Sequence, residues 1–287
     1  MVTDIAITAE DGQVLQATVY EPAAPRAWLL INSAMGVRRR FYRHFAAHLT
    51  EQGIGVLTYD YRGMGDSLLD RDGARRARLA DWGRLDFPAA LRWLRDRHSP
   101  ERVVVLGHSV GGQLLGITPE VTGVDGLIGV GTQSGHWRHW DGVERARIFG
   151  LWYAAIPVLT TVLGHFPASR LGLGQDLPSG IARQWAAWGR DRQYIRSDTV
   201  GPQPQYYGGV RCPLRTYLIA GDDLASERAV RAWHDWFPNA ERELVSLGER
   251  NAAGRKFGHF GFFDPAIGVA EWPALGSFVR GELPCRV

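Results

Sequence analysis

Residues 102–112, RVVVLGHSVGG, set a β-branched run directly against a serine that has one glycine two places before it and another two places after. Residues 102–106 have the length and apolar continuity of a buried central strand, and VGGQLLG from Val110 onward can open a helix. A chain that passes from strand to helix in so few residues must take a strained backbone at the apex. Gly107 and Gly111 let the neighbouring backbones close up around that apex. The Ser109 oxygen is then lifted clear of the sheet, and the amide of Val110 faces the same space, where it can donate to a developing oxyanion.

The rest of the chain supplies the sheet that such a turn requires. Residues 5–9 and 14–20 alternate around Asp11-Gly12 and read as a hairpin. AWLLI (27–31), GVLTY (55–59), VDGLIGV (124–130), LRTYLIA (214–220) and residues 243–247 read as further strands. Helical spacing covers residues 41–51, 85–97, 227–237 and 269–280, so strands and helices alternate. That rhythm predicts an α/β fold with a mostly parallel central sheet and helices on both faces. Ligands in such sheets sit beyond the carboxyl ends of the strands, which directs attention to the residues just after each strand. The rhythm breaks from about residue 135 to about 209, where Trp137, Trp140, Trp152, Trp185 and Trp188 fall in a largely helical stretch. We read 1–287 as a single domain with 135–209 as a helical lid inserted over the strand ends.

Composition narrows the partners. A net charge of +3 looks basic, yet Lys256 is the single lysine and the arginines are spread along the chain. The denser clusters, 37–43 and 73–78, read as solvated faces, so a small-molecule substrate is expected and nucleic acid is not. Cys212 and Cys285 make no disulfide framework, and residues 1–12 lack a basic segment leading into an apolar core, which makes a cytoplasmic setting the expectation. Residues 148–164 are uncharged but short for a membrane span and interrupted by Pro157; a buried, pocket-lining helix pair is expected there and no stable membrane insertion.

A serine needs a base to become a nucleophile and a carboxylate to orient that base. Of nine histidines, His259 follows the last strand, in KFGHFGFF, where flanking glycines let a loop carry its ring to the top of the sheet. His44 and His48, and likewise His136 and His139, have no accompanying metal motif, so neither a metal nor another cofactor is expected. For the carboxylate, Gly221-Asp222-Asp223 comes straight after a strand, and both aspartates qualify.

INSAMGVRRRFY (31–42), YDYRGMGDS (59–67), GHSVGGQLLG (107–116), HWRHW (136–140), RLGLGQDLP (170–178) and GHFGFF (258–263) together resemble the α/β-hydrolases, in particular their serine-aminopeptidase-like bacterial branch of predicted hydrolases. The resemblance runs over essentially the whole chain. It implies the chain order Ser, Asp, His, and its register from Pro213 favours Asp222 over Asp223. It also implies a second oxyanion amide after the strand ending at Ile31, at Ala34 or at Met35, with Val110 as the first. Asn32-Ser33 departs from the His-Gly that many of these enzymes carry. The resulting expectation is a serine hydrolase acting through an acyl-enzyme on an ester, thioester, lactone or amide, carboxylesterase-like first and aminopeptidase-like second, with Ser109, Asp222 and His259 as its triad. A hydrophobic substrate would meet His136, Trp137, Trp140, Trp152 and Phe260. The alternative is a non-hydrolytic protein on the same fold: an acyltransferase, a lyase or a ligand receptor.

Overall fold

A computed structural model of the protein describes residues 1–282; Cys285 lies outside the described residues. The strands in chain order are β1 (Val2–Thr8), β2 (Val14–Tyr20), β3 (Ala27–Asn32), β4 (Gly55–Tyr59), β5 (Arg102–His108), β6 (Gly126–Val130), β7 (His165–Phe166), β8 (Leu177–Pro178), β9 (Leu214–Ile219) and β10 (Arg242–Leu247). Eight of them form one sheet in the order β1-β2-β4-β3-β5-β6-β9-β10. β1 and β2 are the expected antiparallel hairpin, β2 also runs antiparallel to β4, and every pairing from β4 to β10 is parallel. This is the α/β-hydrolase fold.

Both faces of the sheet are buried, which is why its central strands read as continuous apolar runs. In β3, Trp28 and Leu30 belong to one core and Leu29 and Ile31 to the other. The helices Arg43–Glu51 and Trp272–Arg280 pack against each other beside the second core, where Phe45 meets Trp272 and Phe263 edge to face. Each fully buried aliphatic or aromatic side chain of this kind contributes about 1.5–3 kcal/mol relative to its exposed state.

The register aligns the strand ends. Asn32 pairs with Gly107, His108 with Val130, and Val130 with Tyr217, so the loops after β3, β5, β6 and β9 emerge side by side.

The turn after β5 opens a shorter helix than its sequence suggests. It spans Val110–Gln113 and passes into a single tight turn, Leu115–Ile117. Two glycines weaken it, and its exit carbonyls are claimed from outside: Tyr207 Oη donates to the Gln113 carbonyl and the Tyr206 amide to that of Gly116. Gly116 itself lies against the Tyr207 ring, where a Cβ would approach to 2.1 Å.

The 148–164 stretch is not the expected helix pair. Its residues 148–162 lie in one continuous helical segment, Gly142–Gly150, Leu151–Ala155 and Ile156–Val162, with a widened π turn in the middle. The Ile156 amide bonds to the Leu151 carbonyl five residues back, and the wider turn accommodates the missing donor and the ring of Pro157. The same device precedes Pro88, where Phe87 bonds back to Trp82. No helix among the described residues is long and apolar enough to cross a membrane.

Candidate active site

β5 delivers Ser109 at φ 52°, ψ −119°, a conformation that costs a residue with a side chain about 1–3 kcal/mol. The glycines around it make the turn possible in the most literal way. A Cβ on Gly107 would sit 2.2 Å from the Gly112 Cα, and one on Gly111 would sit 2.2 Å from the Asn32 carbonyl oxygen. The elbow is therefore wedged against the end of β3. Asn32 is fully buried there and accepts a hydrogen bond from Tyr59 Oη at 2.7 Å. The Ser109 amide donates to Val130 O at 3.0 Å, tying the apex to β6.

His259 arrives on the loop after β10, and its Nδ1 lies 2.8 Å from Asp222 Oδ2. The other Asp222 oxygen accepts the amides of Leu224 and Ala225 at 2.9 and 3.1 Å, so the carboxylate is held on both sides. Asp223 is exposed, and among the described residues it is engaged through its carbonyl, by the Trp140 indole N–H at 3.0 Å. Of the two aspartates left open by the residues alone, the structure brings Asp222 to the histidine. Behind the pair stands Gly131, at φ 55°, where a Cβ would come within 3.2 Å of His259 Cε1 and 3.4 Å of Asp222 Oδ2. Ser109 and His259 share the wall of one cavity.

A second histidine, His108, was not singled out from the sequence, although it lies between Gly107 and Ser109. Its Nε2 lies 3.0 Å from the His259 carbonyl oxygen, and its Nδ1 lies 2.9 Å from Tyr42 Oη. A carbonyl only accepts, so Nε2 carries the proton. Burial and the nearby His259 hold the ring well below the usual imidazole range, so it is neutral and Nδ1 accepts from Tyr42. Tyr42 Oη in turn accepts the Ala34 amide at 3.0 Å.

That last contact bears on the oxyanion amides. The Ala34 N–H is spent on Tyr42, which removes it from the pair expected from the sequence. Among the described residues the amides of Met35 and Val110 have no hydrogen-bond partner. Met35 lines the cavity beside Ser109.

The cavity lies between the strand ends and the inserted helices. Trp140, Trp152 and Phe260 line it as expected, and Trp185, Ile148 and Leu151 join them. His136 and Trp137 do not. His136 is buried with an Nδ1 that has no partner among the described residues, and Trp137 is turned against Phe149, ring centroids 5.1 Å apart. Their sequence neighbours Gly135 and Trp140 occupy the wall instead. The polar lining residues Gln113 and Gln133 were also missed; a glutamine four residues after the elbow serine carries no motif of its own. Gln113 Nε2 donates to Gln133 O at 2.8 Å, Gln133 Nε2 to Leu224 O at 3.0 Å, and Tyr194 Oη to Gln113 Oε1 at 2.8 Å. Among the described residues no three His, Cys, Asp or Glu side chains gather as a metal site would require.

Residues 23–164 match the family described as serine aminopeptidase, S33. Solved structures with the same architecture include the esterase Pf2001 of Pyrococcus furiosus, at 17% identity and a TM-score of 0.61 over 99% of this chain and 92% of that one. The thermostable carboxyl esterase of Bacillus coagulans gives 16% identity and 0.61 over 98% of each chain, and the esterase of Exiguobacterium antarcticum 15% and 0.63 over 97% and 100%. No curated relative matches the sequence.

Proposed function

Since the chain belongs to the α/β-hydrolase superfamily, we propose that it is a serine hydrolase that cleaves a hydrophobic ester through an acyl-enzyme. Ser109 is the nucleophile, His259 the base, and Asp222 the group that holds the imidazole tautomer and stabilises its charged form. The observation that carries this reading is the His259–Asp222 hydrogen bond at 2.8 Å beside a serine on a strained elbow, both opening on one apolar cavity.

In the first half-reaction Ser109 Oγ bonds to the substrate carbonyl carbon as its proton passes to His259 Nε2. The oxyanion so formed is met by the amides of Val110 and Met35, two donors without another partner among the described residues. Collapse breaks the bond to the leaving alcohol, which departs with the proton from His259. Water then repeats the sequence on the acyl-enzyme, returning Ser109 and releasing the acid. The inserted segment, about 135–209, acts as a cap that shields these steps from bulk water and supplies most of the apolar wall.

Fluorophosphonate labelling of the purified protein, with the adduct located by mass spectrometry, tests the assignment. Labelling at Ser109 that is lost in a folded His259→Ala variant is the expected result. A folded protein that stays unlabelled, or is labelled elsewhere, would overturn it.

A further inference from the structure

We infer that the part of the substrate entering the cavity is electrically neutral, so that the protein hydrolyses uncharged acyl esters and discriminates against the N-terminal aminoacyl groups on which an aminopeptidase acts. The inference rests on the hydrolase reading above and narrows it to a substrate class.

Among the described residues lining the cavity, His259 is the sole ionisable side chain. An aminoacyl substrate would bring an α-ammonium group onto the carbon next to the reacting carbonyl, and burying an unpaired ion costs several kcal/mol even after relaxation. Among the described residues the wall carries no carboxylate to compensate that cost. The acceptor oxygen of Gln113 is taken by Tyr194, and that of Gln133 faces Gln113 Nε2 at 3.3 Å. Tyr194 Oη itself receives the Trp185 indole N–H at 2.9 Å. Asp222 has one oxygen on His259 and the other on two amides.

Carboxylates do exist close by, but on the wrong side of a wall. Asp141, Glu144, Asp223 and Glu227 line a surface groove, and the Trp140 ring belongs to both this groove and the cavity. Three of these acids are further engaged by Arg228, Arg147 and Arg231. Among the described residues the cavity lining itself holds no arginine or lysine, so a substrate carboxylate is disfavoured for the same reason as an ammonium.

The test compares methyl butyrate with methyl 2-aminobutyrate, which differ by the α-amino group alone, reading released methanol from enzyme whose Ser109 labelling by fluorophosphonate has been verified. The neutral ester is expected to be favoured in kcat/KM by on the order of 100-fold while the amine is protonated, and the gap should narrow as pH rises past the substrate's own amine pKa. A second arm places a carboxylate in the wall: Leu173→Glu, at a half-buried loop position, should move the ratio at least about tenfold toward the amino ester. Equal or preferred turnover of the amino ester by labelled enzyme, or a ratio unmoved by Leu173→Glu in a folded variant, would overturn the neutral-substrate inference and leave the hydrolase reading standing. Absence of labelling in folded protein would overturn both.

Discussion

His108 Nε2 hydrogen-bonds to the backbone carbonyl of His259 at 3.0 Å, so the residue before the elbow serine holds the loop that carries the proposed base. Through Tyr42 the same ring reaches the Ala34 amide. Three loops, those after β3, β5 and β10, are thereby joined by a chain of buried hydrogen bonds. Its two linking side chains, His108 and Tyr42, lie outside the cavity lining and are positioning residues.

Tyr42→Phe removes the hydroxyl at the centre of that chain and leaves the Ala34 amide and His108 Nδ1 unpaired in a fully buried site. Urea denaturation should show a loss of about 1–3 kcal/mol. Steady-state kinetics should show kcat reduced while KM holds, by less than the 10²–10³ that follows loss of an oxyanion donor itself. Unaltered kcat in a destabilised variant would mean that the chain only supports the fold.

Ser109→Ala should lower ester turnover on the order of 10⁶-fold. The new residue keeps the same unfavourable φ, so the melting temperature should stay near that of the parent, and circular dichroism with a thermal melt separates lost chemistry from lost structure. Residual hydrolysis at the parental rate would remove Ser109 from the mechanism.

Asp222→Asn and Asp223→Asn make a paired comparison of adjacent residues. The first changes the partner of His259 Nδ1 and should cost about 10⁴ in kcat. The second alters an exposed side chain and should leave kcat within a factor of a few, because only the Asp223 backbone is used, by Trp140. Equal losses at the two positions would contradict the geometry.

Gly131→Ala would place a methyl group against both His259 and Asp222 at a position where φ is 55°. The loss should fall on kcat, at least about tenfold from misplacement of the imidazole, and fluorophosphonate labelling should slow in parallel. Parental labelling kinetics would show that the pair tolerates the displacement.

Acid stability follows from the buried His108 and His136 and the half-buried His139. Burial first, then the neighbouring His136, lowers His139 to about 4, and burial places His108 well below its ordinary 6.5 and His136 below it as well. These groups stay neutral in the folded protein while the unfolded chain takes up protons below 6.5. Stability is therefore full above that value and falls as pH decreases, with the His139 share exhausted near pH 4. Urea midpoints across this range should decline on the acid side, and His139→Gln should flatten the slope. A midpoint indifferent to pH would show that the unfolded state does not gain these protons.

Much of this molecule is legible along the chain because it is written in short-range patterns. The strands of the parallel sheet are apolar on both faces, so residues 27–31 and 55–59 can form little else. Gly107 and Gly111 announce the elbow because a side chain at either would collide with Gly112 or Asn32. The limits appear where local pattern is indifferent. VGGQLLG has a helix's composition, yet the helix ends at Gln113 because Tyr206 and Tyr207, some ninety residues later, claim its exit carbonyls.

The site divides along the same line. Ser109 and His259 stand beside glycines whose backbone freedom is itself a sequence signal, and the order Ser, Asp, His needs only chain position. The choice between Ala34 and Met35 depends on whether a tyrosine hydroxyl from the next helical turn reaches one amide and not the other, a matter of ångströms. Which aromatic residues of HWRHW face the cavity depends on how the inserted helices pack, and a loop with no repeat period does not encode its own orientation. Sequence alone determines the backbone's permitted paths, since sterics and hydrophobic period act between near neighbours. Tertiary structure decides which polar group is already satisfied and which is left over for chemistry, because hydrogen bonds are allotted among residues far apart in the chain.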